Sequence, residues 1–140
     1  MRLTHRYRFS ASHRLQSPAL SAEENRRLYG KCNNPYGHGH DYVLDITLEG
    51  LCDDSGQVVC RDALDSLVSK RVLAPFDHKN LNCDVPELRA MVPTTENLAL
   101  VIREMLEKDW PVPARLARLR ISETDRNVFE LEIEPPRNKT

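Results

Sequence analysis

The chain has 140 residues and a near balance of charge, 20 Lys and Arg against 21 Asp and Glu. That length suits one domain spanning 1–140, which buries roughly two-thirds of its unfolded surface and needs no disulfide or metal merely to fold. The balance of charge removes electrostatic attraction to nucleic acid or an anionic membrane as the main basis of function, and no apolar run reaches the length of a membrane span. The opening stretch MRLTHRYRFSASHRL alternates polar and apolar residues, which is the pattern neither of a signal peptide nor of a cleavable targeting segment. Cys32, Cys52, Cys60 and Cys83 form no CxxC pair, so they read as reduced thiols of a cytoplasmic protein.

Leu3, Tyr7, Phe9 and Ala11 share parity, with His5 as the polar exception, and predict a first strand. Residues 14 to 37 carry Ser, Pro, Asn and Gly with little period. They read as a long loop holding a short helix around Ala22–Leu28, and loops of that length in a small domain are usually functional. Tyr42, Leu44, Ile46 and Leu48 predict a second strand that ends at Gly50. Leu64, Leu67, Val68 and Val72 follow a helical spacing that Pro75 is expected to stop. Thr94 or Thr95 can cap the next helix, whose buried stripe is Leu98, Val101, Ile102 and Met105. Leu119 with Ile121, and Phe129 with Leu131 and Ile133, mark a closing hairpin whose turn lies within Glu123–Asn127. The order is ββααββ: an α+β fold with an antiparallel sheet and two helices on one face.

His38 and His40 lie two apart, in phase with Tyr42 and Leu44, so both imidazoles can point to one face with Cα atoms roughly 6.6 Å apart. His13 is in phase with Phe9 and Ala11 at the end of the first strand. Pairing of the two strands would gather three neutral nitrogens, a donor set that favours zinc over magnesium or calcium and leaves one position open. Cys32, six residues before His38, can be a base made usable by a nearby cation, a further metal ligand, or a small buried side chain; spacing does not separate these. The adjacent Asp77 and His78 can form a carboxylate–imidazole pair, or belong to a solvated loop. Glu123 lies in phase with the apolar Leu119 and Ile121, where a carboxylate needs a donor partner. Glu130, Glu132 and Glu134 have the opposite parity and read as a solvated face.

The runs FSASHRL, GKCNNPYGHGHDY, PFDHKNLN, TTEN and ISETDRN, in this order over nearly the whole chain, resemble the 6-pyruvoyl-tetrahydropterin synthase family. The resemblance implies a tunnelling fold (T-fold), with trimers whose sheets join into a barrel and stack as hexamers. It implies 7,8-dihydroneopterin triphosphate as substrate and zinc held by His13, His38 and His40. By the same resemblance, Cys32, Asp77 and His78 form the proton-transfer group, Glu123 anchors the pterin ring, and Thr95 and Glu96 border its pocket. The segment SPALSAEENRRLYGKCNN is closer to the biopterin-pathway members than to the 6-carboxy-tetrahydropterin synthases, which are the alternative. A zinc-stabilised domain without catalysis is a third reading, one that would have no use for Glu123 or Asp77–His78. Cys60, Ala63, Tyr36 and Asp41 depart from the residues commonly found at their positions in the family.

Overall fold

The computed structural model describes residues 1–138. Two strands of 12 residues, β1 (Arg2–His13) and β2 (His38–Glu49), pair antiparallel in unbroken register from Arg2 opposite Glu49 to His13 opposite His38. The closing hairpin forms as expected from β4 (Arg115–Ser122) and β5 (Val128–Glu132), and β4 pairs with β2. A strand of two residues, β3 (Lys79–Asn80), joins the far edge parallel to β1, so the sheet order is β3-β1-β2-β4-β5. The sequence reading missed β3, which is too short to carry any periodicity, and its sheet is accordingly not wholly antiparallel.

Among the described residues three α-helical stretches accompany the sheet. The first, α1 (Ala22–Tyr29), lies in the long loop and starts with a capping box between Ser21 and Glu24. The second, α2 (Arg61–Val68), does not stop at Pro75. It continues through a π-helical turn at Ser69–Leu73 into a last α-turn at Ala74–Phe76. The wide turn carries a bond from the Ala74 amide to the Ser69 carbonyl, and Pro75 then sits at the start of a new turn, where a missing N–H costs little. The third, α3 (Thr95–Glu107), is capped by Thr94, whose Oγ1 accepts from the Asn97 amide at 3.2 Å.

One face of the sheet is apolar. Phe9, Tyr42, Leu44, Ile46, Leu119 and Ile121 pack under Leu64, Val68, Val72 and Phe76 of the α2 segment and under Leu98, Ile102 and Leu106 of α3. Each such side chain contributes about 1.5–3 kcal/mol by leaving water. The other face carries no helix and is a polar ladder. Arg6 donates to both oxygens of Asp45 at 2.8 and 3.1 Å, Thr4 pairs with Thr47, and Glu49 lies between Arg2 and Arg115. A bulge opposite Thr47 and Leu48 keeps both Arg115 and Arg118 on that polar face, three residues apart. Among the described residues no helix is long and apolar enough to cross a membrane.

The turn into β2 is closed by Gly37, whose φ is +71°. A Cβ there would stand 2.7 Å from the carbonyl oxygen of His13, so only glycine lets the chain pass that close before His38. Gly37→Ala is expected to destabilise the fold by about 1–3 kcal/mol through backbone strain and that contact. Urea unfolding measures this: the midpoint should fall at an unchanged slope. A variant as stable as the parent would show that the turn can reshape freely.

Candidate metal centre and its surroundings

The register of β1 and β2 sets the site. His13 faces His38 directly, and His40 faces Ala11 on the same side of the sheet. Their rings converge until His40 Nε2 lies 3.1 Å from His13 Nε2 and 3.1 Å from His38 Nε2. Neutral imidazoles presenting lone pairs to one another at that separation repel unless a proton or a cation lies between them. A tetrahedral ion with metal–nitrogen bonds of about 2.0–2.1 Å places its nitrogens about 3.3 Å apart, close to this spacing. Cys32 Sγ lies 3.0 Å from His38 Nε2, and the ligand atoms of His13, Cys32, His38 and His40 all fall within 4.8 Å of one another. The four side chains can therefore hold a metal ion.

The surroundings prepare the nitrogens for that task. His13 is 1% exposed, and its Nδ1 lies 3.1 Å from the Pro93 carbonyl oxygen. A carbonyl only accepts, so Nδ1 carries the proton and Nε2 is left with its lone pair facing the other imidazoles. The buried Tyr42 hydroxyl stands 3.4 Å from the same Nδ1. Pro93 is held in place by the start of α3, where Asn97 Nδ2 donates to the Val92 carbonyl at 2.8 Å beside the Thr94 cap. Burial lowers the proton affinity of His13 and of His40, which favours the neutral, metal-binding form. Burial, and next the charge of Glu123, push the Cys32 thiol up, so without a cation nearby it stays protonated at neutral pH. Sequence reasoning missed the roles of Pro93 and Tyr42. A backbone carbonyl leaves no side-chain signal, and Tyr42 counts only as an apolar residue in a strand pattern.

Glu123 follows β4 and turns into this cluster. Its Oε1 lies 2.8 Å from His40 Nε2 and 3.7 Å from His13 Nε2, while Oε2 accepts from Thr95 Oγ1 at 2.9 Å. Thr95 is thus at the site through its side chain, whereas Glu96, one residue on, is exposed. Asp77 and His78 are not brought to Cys32 within the chain. They sit at the β1–β3 edge, where His78 borders a cleft of about 530 Å³ lined by Ser10, Ser12, Gly39 and Asp41, which are out of phase with the three histidines, and also by His40. Asp77 Oδ1 accepts from the Ser10 amide at 2.9 Å, and its other oxygen is 3.6 Å from His78 Nε2, too far for a hydrogen bond. The His78 side chain is 81% exposed on a backbone with φ +57°.

A profile described as 6-pyruvoyl tetrahydropterin synthase matches residues 2–134. The chain is 48% identical over 122 residues to a 6-pyruvoyl tetrahydrobiopterin synthase of Poecilia reticulata, covering 86% of this chain and 82% of that one. It is 45% identical over 127 residues to the Homo sapiens protein of the same name, covering 90% and 87%. The solved structure of Caenorhabditis elegans 6-pyruvoyl tetrahydropterin synthase superposes with a TM-score of 0.88 at 38% identity, over 96% of both chains.

The lowered proton affinity of His13 and His40 sets the sign of a pH effect. Both lie below the ordinary histidine value of about 6.5, so protons compete for the nitrogens only as pH falls below that value. Zinc affinity, measured by chelator competition, is expected to be level from pH 8 to about 7 and to fall steadily below pH ~6.5. An affinity already falling between pH 8 and 7 would mean that these imidazoles are not held neutral.

Proposed function

This chain belongs to the 6-pyruvoyl tetrahydropterin synthase family, and from that premise we propose that it converts 7,8-dihydroneopterin triphosphate to 6-pyruvoyl-tetrahydropterin with elimination of triphosphate, as a carbon–oxygen lyase. The observation that carries the reading is the convergence of three imidazole nitrogens and a free thiol at one point beside the start of α3, with the Glu123 carboxylate against His40. His13, His38 and His40 fit zinc by donor type and spacing. When bound, zinc supplies a Lewis acid that acidifies the carbon–hydrogen bonds next to the substrate's side-chain hydroxyls.

The chain's own residues then divide the proton work. Cys32 Sγ, 3.0 Å from His38, takes a proton from a side-chain carbon once positive charge at the site offsets the burial that holds the thiol protonated. Triphosphate departs with its bonding electrons as the double bond forms, and the resulting enol becomes the terminal methyl ketone. Transfer of the C1′ hydrogens to the ring's C6=N5 bond oxidises C1′ to the second ketone and reduces the dihydro ring to the tetrahydro level, so no outside redox partner is needed. His78 returns or relays a proton, supported by Asp77. That role requires a second copy of the chain, because within one copy His78 lies at the sheet edge, exposed and away from Cys32. A homo-oligomer, trimeric or hexameric, has support in the open sheet, whose polar face has no helix cover and whose two edges are β5 and the two-residue β3. The proposal includes a pterin triphosphate as the partner and the cytoplasm as the location.

Incubation with dihydroneopterin triphosphate and mass spectrometry of the products tests the activity directly; release of acetaldehyde instead would point to the 6-carboxy branch. Cys32→Ala is expected to keep near-stoichiometric zinc yet lose about 10²–10⁴ in rate. Elemental analysis decides the matter: a zinc-free Cys32→Ala protein would make Cys32 a ligand required for metal retention. Cys32→Ala and His78→Ala, each inactive alone, should regain part of the parent activity when unfolded together and refolded as a mixture. No regain in mixtures verified as hetero-oligomers would remove the shared site.

A further inference from the structure

Glu123 occupies a position that its role as pterin anchor does not explain. The amidine edge of a pterin and the carbon bearing its reactive side chain lie at opposite ends of the bicycle. A carboxylate clasping the first cannot also lie against the nitrogens that would hold a metal for the second. Yet Oε1 is 2.8 Å from His40 Nε2 and 3.7 Å from His13 Nε2, near the ligand–ligand spacing of about 3.3 Å in a tetrahedral zinc site, although it makes no such close contact with His38. The side chain of Glu123 is 12% exposed, so little water is available to solvate its charge.

Metal loading sharpens the difficulty. In the absence of metal, His40 Nε2 can offer a proton to Oε1. With a metal on Nε2 that proton is gone, the imidazole nitrogens give their lone pairs to the ion and offer Oε1 no hydrogen, and the Thr95 hydroxyl donates to the other oxygen. Two arrangements satisfy the carboxylate, Oε1 bound to the ion itself or Oε1 accepting from a water in the open position, and only the first places its charge directly on the ion. Three neutral imidazoles leave a dication's charge uncompensated, and one carboxylate offsets half of it.

Resting on the function proposed above, we propose that Glu123 is a reversible fourth ligand: it closes the metal site while no substrate is present and leaves it to take the pterin ring. Departure frees a coordination position at the moment the substrate's hydroxyls arrive. Recognition of the ring is thereby coupled to opening of the metal, and a molecule without a pterin head does not open it. Thr95 Oγ1 holds Oε2 in the closed arrangement, and its place at the first turn of α3 puts the carboxylate near the positive end of that helix.

The test uses the full-length protein loaded with cobalt(II), whose visible spectrum reports its ligands, and 6-methylpterin, which has the amidine edge but no side-chain hydroxyl. Binding of 6-methylpterin, followed by fluorescence, should change the cobalt spectrum of the parent protein. Glu123→Gln, checked for native circular dichroism, should show an altered spectrum before any ligand is added, and zinc affinity lowered about tenfold or more in chelator competition. If 6-methylpterin binds the parent without moving the spectrum, the carboxylate does not leave the metal and the switch is overturned. If Glu123→Gln changes neither spectrum nor zinc affinity, Glu123 is no ligand and the proposal fails entirely. The parent titration needs no variant, so a misfolded Glu123→Gln leaves that arm decisive. The lyase assay is separate: pyruvoyl product with no cobalt response sinks the switch alone, while a cobalt response with no product sinks the activity alone.

Discussion

Three imidazole nitrogens gathered with His40 Nε2 3.1 Å from each of the other two are an electrostatic liability unless something positive sits among them, and much of the fold serves to hold them there. The long antiparallel pairing of β1 with β2 sets His13 opposite His38, and the period of two in β2 adds His40 on the same face. Gly37 permits the close passage before His38 that no other residue allows. The apolar packing of α2 and α3 over the sheet makes this register rigid, because a slip by one residue would turn Phe9, Tyr42 and Leu44 to the polar side.

The start of α3 is the second organising element, and it reaches the site from outside the sheet. Within six residues, Val92 to Asn97, one carbonyl accepts a hydrogen bond from His13 Nδ1–H, one hydroxyl caps the helix, and the next hydroxyl holds Glu123. The two neighbouring threonines therefore divide their labour, Thr94 serving the helix and Thr95 the site. This turn touches both His13, one of the candidate metal ligands, and Glu123, so it joins the two physically.

The polar face of the sheet tells a complementary story. Arg6–Asp45, Arg2–Glu49–Arg115 and Thr4–Thr47 pair across strands without any helix above them. The partly exposed pairs of Glu49 with Arg2 and Arg115 contribute little to stability singly, whereas the Asp45 carboxylate is buried beneath Arg6 and needs that partner. Their value lies in keeping an uncovered sheet face soluble and ordered. The cleft beside His78 opens on this same side, so that histidine is displayed outward and not folded back onto its own chain.

Much of the candidate site was legible in the residues themselves. Parity put His13, His38, His40 and Glu123 on the apolar face of their strands, and local pattern foretold α1, both long helices and the closing hairpin. Strands and helices advertise themselves because one buried face imposes a period on the sequence. Other features leave no such trace. The passage of α2 through Pro75 depends on a wide turn that absorbs the missing amide, and β3 exists only because the chain after Asp77 runs beside Ser10 and Ser12. Tertiary structure alone decided that Pro93 sets the His13 tautomer, that Glu123 lies against the histidines, and that Asp77 bonds to a backbone amide while His78 points to solvent. Each of these rests on contacts between segments far apart in the chain, through carbonyls, hydroxyls and distances that residue type and spacing do not encode.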